Sequence, residues 1–251
     1  MEWFDGAMLL GLGLLSGIFA GFFGIGGGTL IVPAMMLLGL DIKTAIGISV
    51  MQMMFSSLWG SYMNYKKGNL NFDEGLWVGI GGLVGAAFSG LVVDTLSASV
   101  LTILFLLLAI GALWRFLFKA SDVVGAKRQN PSKLVLITIG ALTGVFAISL
   151  GIGGGLILVP LLSLYLCINS KQAIPISLFF IIFASISGFA SLAYHGYVQY
   201  VQGATVGVAS IIGVSLGIAL LRVVDAKKHR YALVALYALV IAAMIQKLLE
   251  L

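Results

Sequence analysis

Residues 13–33 read GLLSGIFAGFFGIGGGTLIVP, and residues 140–160 repeat the pattern as GALTGVFAISLGIGGGLILVP. Aligned without gaps, twelve of the twenty-one positions are identical, including all of GIGGG and the proline five residues after it. Each copy is an apolar run interrupted by glycines, which is typical of a helix that stops and restarts inside a membrane. The sequence therefore predicts an internal duplication, with one broken pair of helices in each half.

The composition decides the class of protein. Of the 251 residues, 61% are hydrophobic and only 9% are charged, whereas soluble domains carry about 25% charged residues. The apolar runs are continuous and do not alternate with polar residues, which excludes a transmembrane β-barrel. We therefore predict an all-α polytopic membrane protein. The pI near 9.4 comes from short basic clusters between apolar runs, so we expect no nucleic-acid partner.

Ten apolar segments divide equally between the two halves. A full crossing needs about 20 residues, so the first two segments of each half are interpreted as short and broken at GIGGG. Whether such a pair forms a re-entrant hairpin or crosses the bilayer stays open. The whole chain, 1–251, is predicted to be a single transmembrane domain: repeat 1 at about 6–118, a basic cytoplasmic linker at 119–132 and repeat 2 at about 133–248. The expected segments are 6–23, 28–40, 43–65, 74–94, 97–118, 133–150, 155–168, 171–194, 202–222 and 230–248.

The basic residues predict the topology. If the polar loops alternate between two faces, one face receives twelve lysines and arginines and the other only Lys43 and Lys247. The positive face of a multi-pass protein is normally cytoplasmic, which predicts a cytoplasmic-membrane protein with both termini outside. The two copies of the motif then begin on opposite faces. We therefore expect the halves to be inverted repeats.

The glycine motifs are the first candidate site. A helix that restarts after GIGGG leaves its first backbone N–H groups without partners, and these groups with the helix dipole favour an anion. The inverted repeats bring both motifs toward the midplane, where an anion is then held without a buried lysine or arginine. The alternative is that the glycines only allow close helix packing. The predicted substrate-binding glycines are Gly24, Gly26, Gly27, Gly28, Gly151, Gly153, Gly154 and Gly155.

Polar residues on the third and eighth segments are the second candidate. Ser49, Gln52 and Ser177 are interpreted as a pathway lining that donates hydrogen bonds to the substrate, because a helix in lipid has no reason to carry Gln52. The alternative for the serines is interhelical packing. His195 suits proton coupling but lies at a segment end, where an interfacial histidine is the other interpretation. His229, in the basic run AKKHR, is interpreted as a solvated loop residue.

No catalytic pattern accompanies these features. The apolar segments contain no carboxylate pair, no His-x-x-x-His and no serine elbow, and the one cysteine, Cys167, has no partner for a disulfide. We therefore predict that the protein is not an enzyme and uses no metal or cofactor. Its expected partners are a small anion, the lipid bilayer and, from its apolar surfaces, a second copy in a homodimer.

The duplicated motif resembles one known family. GIFAGFFGIGGGTLIVPAMMLLGLDIKTAIGIS and GVFAISLGIGGGLILVPLL are similar to the two motifs of the TauE/SafE family of membrane transporters, also called the sulfite exporter family. The resemblance covers essentially the whole chain and implies transport of sulfur-containing anions such as sulfite or sulfonates, coupled to an ion gradient. The resulting hypothesis is a secondary transporter that works by alternating access. The alternatives are an anion channel, or a membrane-embedded enzyme or assembly partner without transport.

Overall fold

A computed structural model describes residues 2–70, 72–118, 132–167 and 170–249 of the chain. All regular secondary structure in these ranges is helical, as the composition predicts. The helices are α1 (Glu2–Phe23), α2 (Gly28–Leu37), α3 (Ile42–Lys66), α4 (Phe72–Ala86), α5 (Ser89–Thr95), α6 (Ala98–Phe118), α7 (Lys133–Ser149), α8 (Gly155–Leu166), α9 (Ser170–Tyr194), α10 (Tyr200–Val223) and α11 (Ala226–Leu249).

The helix bounds follow the predicted segments closely, with two differences. Helix α1 has 22 residues and can cross a membrane, so the first segment is longer than expected, although it still ends directly before GIGGG. The fourth segment is two helices, α4 and α5, with a break at residues 87–88. The predicted linker lies outside the described residues except for Ser132, whose side chain accepts a hydrogen bond from the Val135 N–H and caps α7.

Six helical stretches in the described ranges are long and apolar enough to cross a membrane. Helix α3 has the same length as α9, 25 residues, but is less apolar because it carries Ser49, Gln52, Ser56 and Asn64 on its buried face. The outer surface of the bundle is apolar, with Leu107, among others, more than half exposed. A surface of this kind suits lipid and not water. The protein is therefore a multi-pass membrane protein.

Small residues bring the helices into backbone contact. Helix α1 packs against α10, and the two helices run parallel. Gly13 contacts Val206, and four residues later on both helices Gly17 contacts Ser210. A Cβ atom on Gly17 would collide with the Ser210 backbone. Stripes of small residues at this spacing are the usual basis of helix association in membranes.

The same contacts recur in the other half. Helix α4 packs in parallel against α7 as α10 does against α1. Gly79 of α4 lies against the ring of Phe183, and Gly207 of α10 lies against the ring of Phe55. Each residue of the second contact is 128 positions from its counterpart in the first. Equivalent contacts of this kind agree with the inverted-repeat hypothesis, which stays a prediction.

Helices α3 and α9 occupy the centre and run antiparallel. Gly60 of α3 contacts Leu178 of α9, and farther along α3 Asn64 shares a cavity with Gln172, which precedes Leu178 on α9. The ends of α3 and α10 and the starts of α7, α9 and α11 meet at one end of the bundle. This end carries Lys66, Lys67, Lys133, Arg222, Lys228 and Arg230 and is called the basic face below.

Candidate functional site

The two GIGGG segments are in direct contact in the middle of the bundle. Residues 24–28 form the first glycine loop and residues 151–155 form the second. A Cβ on Gly28 would overlap the carbonyl oxygen of Gly151, and a Cβ on Gly155 would overlap the carbonyl oxygen of Gly24. The two loops thus pack backbone to backbone in a reciprocal arrangement. At Gly28 and Gly155, the predicted position of a substrate between the loops is occupied by the backbone of the opposite loop.

Two serines hydrogen-bond the two glycine loops at the place where the loops contact each other, which is called the crossing below. The hydroxyl of Ser49 on α3 donates to the Gly151 carbonyl at 2.7 Å, and that of Ser177 on α9 donates to the Gly24 carbonyl at 3.0 Å. Both side chains are fully buried. A hydroxyl has one proton to donate, and here each proton goes to the opposite loop. Ser49 and Ser177 therefore position the loops, and any substrate-binding role for them stays a prediction.

The loops leave backbone donors free at the start of α2. Gly27 precedes this helix with φ of 81°, a conformation that a residue with a side chain rarely adopts, and no side chain caps the helix. Within the described part of the chain, the N–H groups of Ile25, Gly26 and Gly27 form no hydrogen bond. These donors, at the positive end of a helix dipole, suit an anion.

Gln52 faces this helix start. Its side chain is fully buried on α3, and neither its amide nitrogen nor its amide oxygen has a hydrogen-bond partner. The Nε2 atom lies 3.1 Å from the point that a Cβ on Gly27 would occupy. Thr29, in the first turn of α2, is 1% exposed, and its hydroxyl also has no partner. Buried polar groups without partners are costly, so the Gln52 amide at this helix start marks a place for a ligand.

The two histidines lie away from the glycine loops. His195 is half-buried at the end of α9 opposite the basic face, and its Nδ1 lies 2.8 Å from the Ser191 carbonyl oxygen. It follows Ser177 of α9 by eighteen residues, which corresponds to about 27 Å at the helical rise of about 1.5 Å per residue. Its predicted role in coupling is untested by this geometry.

The interpretation of His229 as a solvated loop residue is wrong. This residue lies on α11, is 8% exposed, and donates from Nε2 to the Phe22 carbonyl at 2.9 Å. Its ring packs against those of Phe22 and Phe23. The carbonyls of the last turn of a helix lack intrahelical partners, so a donor from α11 satisfies one of them directly before the first glycine loop.

Comparisons with known proteins agree with this architecture. The model of the family described as sulfite exporter TauE/SafE matches residues 9–244. The chain belongs to the sulfite exporter TauE/SafE family. A probable membrane transporter protein of Methanocaldococcus jannaschii is 28% identical over 83% of this chain and 81% of its own length. The probable membrane transporter protein YdhB of Bacillus subtilis is 28% identical over 81% of this chain and 85% of its own length. No solved structure matches the chain significantly.

The family is one of transporters, which is consistent with a non-enzymatic protein. In this TauE/SafE protein, a cavity of about 350 Å³ opens near the basic face. This cavity is not predicted above, although the sequence does place amide side chains beside a basic residue at helix ends. Its wall includes Ile218, whose backbone lies beside Gly21, so the cavity approaches the first glycine loop. It is lined by Asn64, Asn69, Gln172, Pro175, Ile218, Leu221 and Arg222.

The charge near this cavity is positive. Partial burial, and then the positive charge of Arg222, lower the pKa of the Lys67 amine below its ordinary value. At the opposite end of this TauE/SafE protein, polar contacts hold the helices together. The Tyr197 hydroxyl donates to the Asp94 carboxylate at 2.7 Å, and the Lys43 amine donates to the Asp94 backbone carbonyl at 3.3 Å. The described residues thus form a cavity near the basic face and side-chain hydrogen bonds at the opposite face.

Proposed function

We propose that this protein is a secondary transporter for a small sulfur-containing or organic anion, such as sulfite or a sulfonate. It moves the anion across the cytoplasmic membrane by alternating access, driven by an ion gradient. Membership in the sulfite exporter TauE/SafE family and relatives named as probable membrane transporters support the class of function. The substrate and the coupling are our proposal.

The observation that carries the proposal is the crossing of the two glycine loops. Two helices restart in the middle of an apolar bundle, at glycines that let the backbones of the two loops approach each other closely. The available donors, the N–H groups beside Gly27 and the Gln52 amide, are neutral. They can bind an anion without the high cost of a buried lysine or arginine.

The difference between the two ends of the bundle supports alternating access. The cavity beside Asn64 and Arg222 gives a route toward the first glycine loop from the basic face. The Tyr197–Asp94 hydrogen bond joins two segments at the other end. An inverted repeat produces the opposite state when its halves exchange conformations, and in this proposal the described conformation is the one accessible from the basic face.

Transport by purified protein in liposomes tests the proposal against its rivals. We expect uptake of sulfite or methanesulfonate that saturates, is accelerated by unlabelled substrate on the other side, and accumulates only under an imposed proton or sodium gradient. An anion channel would instead give flux that neither saturates nor shows this exchange. No flux with any tested anion would favour the membrane enzyme or assembly partner and overturn the proposal.

The proposed orientation places the basic face in the cytoplasm. In a Cys167→Ser background, we expect Gln199→Cys to react with a membrane-impermeant maleimide in intact cells, because this exposed residue precedes α10 opposite the basic face. The matched variant Asn69→Cys, equally exposed after α3, should react only after permeabilisation. The reverse labelling pattern would show that the basic face lies outside the cell and that the proposed topology is wrong.

A further inference from the structure

The two halves differ in the side chains that face their glycine loops. In the repeat alignment, Gln52 corresponds to Phe180, Thr29 to Leu156 and Ser56 to Ala184. All six residues are buried. Three polar residues around the first loop are thus replaced by three apolar ones around the second, although the glycines themselves are identical.

The contacts at the two helix starts reflect this difference. A Cβ on Gly27 would meet the Ser16 carbonyl and the unpartnered amide nitrogen of Gln52. A Cβ on Gly154, the equivalent residue before α8, would meet only the ring of Phe180 among its three nearest atoms. The first helix start therefore faces an amide side chain without a partner, and the second faces an aromatic ring.

The second half also has buried hydroxyls without partners. Thr143 and Ser149 lie on α7, and their hydroxyls have no partner. Neither is among the three atoms nearest to the Cβ position of Gly154. The ring of Phe180 also packs against Gly82 of α4, so it joins the second loop to that helix. The second loop is built as a packing contact.

We propose that the protein has one anion site, at the first glycine loop, and that the second loop is its apolar support. The site consists of the Gln52 amide, the Thr29 hydroxyl and the free N–H groups at the start of α2. This inference rests on the proposed transport function and locates its substrate in one half of the duplication.

The same groups select the charge of the ligand. All the donors are neutral, and the helix dipole supplies only about half a positive charge. The cost of burying an ion rises steeply with its charge, and none of these groups offsets a second negative charge. The site therefore takes a singly charged oxyanion, such as a sulfonate or hydrogen sulfite, in preference to a dianion. The oxygens of the anion accept hydrogen bonds from Gln52, Thr29 and the backbone.

The test compares ligand-induced stabilisation of the purified protein, because a ligand that binds the folded state raises its melting temperature. We expect methanesulfonate to raise it and sulfate, at equal ionic strength, to leave it unchanged. Gln52→Met should raise the ligand-free melting temperature, because it removes two unpartnered buried polar atoms, and should weaken methanesulfonate binding about tenfold to a hundredfold. An amide with a merely structural role would not combine these two effects. Acetate distinguishes a sulfonate preference from any singly charged oxyanion.

Matched variants keep the inference falsifiable. Phe180→Leu, at the equivalent position of the second half, should leave anion affinity within about twofold, which is a small free-energy change. Ser89→Ala removes another fully buried hydroxyl without a partner, on α5, and should also leave affinity unchanged. Thr29→Val repeats the test should Gln52→Met fail to fold. Three results would overturn the one-sided site while leaving the transport proposal intact. Phe180→Leu could weaken anion binding as much as Gln52→Met does, both Gln52→Met and Thr29→Val could leave binding unchanged, or sulfate could bind more tightly than methanesulfonate. No flux and no stabilisation by any anion in the wild type overturns the transport proposal itself.

Discussion

The Gly155→Ala protein should be strongly destabilised, although alanine is an ordinary helix residue. Gly155 begins α8, and its added Cβ would overlap the Gly24 carbonyl oxygen. Both partners are buried backbone, so neither can rotate away as a side chain would. We expect a loss at or above the upper end of the about 1–3 kcal/mol typical of overpacked cores. Gly28→Ala should behave in the same way, because its Cβ would overlap the Gly151 carbonyl oxygen.

Melting temperature and the monodisperse fraction on gel filtration in detergent measure this loss. Gly111→Ala is the matched control, since Gly111 lies inside α6 and has no atom within 4 Å of its Cβ position. Removing a helical glycine without steric conflict should raise stability by up to about 1 kcal/mol. A Gly155→Ala protein as stable as the control would show that the loops do not cross in contact.

Sequence alone predicts the parts of this fold that repeat. The duplicated GIGGG locates both loops, and Ser49 and Ser177 occupy matched positions because each bonds the opposite loop. These features can be recognised because the same local pattern occurs twice. The predicted helix bounds are accurate for a similar reason, since continuous apolar runs end at polar or glycine residues.

Features that depend on contacts between distant segments are not visible in the sequence. The burial of His229 depends on where α1 ends, because its partner is the Phe22 carbonyl 207 residues earlier. In sequence, the neighbouring lysines and arginine predict a solvated loop. The direct contact between the loops is likewise a consequence of the way α3 and α9 cross. The repeat alignment does contain the Gln52–Phe180 difference, but only the structure places both side chains against their helix starts.

Removing the two matched serine hydroxyls is the second substitution with a large expected effect. Ser49→Ala and Ser177→Ala each leave a buried glycine carbonyl without its side-chain donor. An unsatisfied buried acceptor costs about 1–3 kcal/mol, so we expect each variant to melt at a lower temperature in detergent. Both bonds hold one crossing, so the losses should not add, and the double variant reports the coupling between them.

A second pair of serines provides the control for this experiment. Ser57 and Ser185 are also matched across the repeat and fully buried, but each donates only to a carbonyl of its own helix, at 3.4 Å and 3.3 Å. The carbonyls left by Ser57→Ala and Ser185→Ala already accept hydrogen bonds within their own helices. Each substitution should therefore change the free energy of unfolding by no more than about 0.5 kcal/mol, and the two changes should add. If this pair costs as much as Ser49 and Ser177, or if Ser49 and Ser177 add independently, the crossing is not a cooperative unit. If only the Ser49 and Ser177 pair shows a coupled loss, one half cannot release its glycine loop without also releasing the loop of the other half. Alternating access between two inverted halves requires such a coupling.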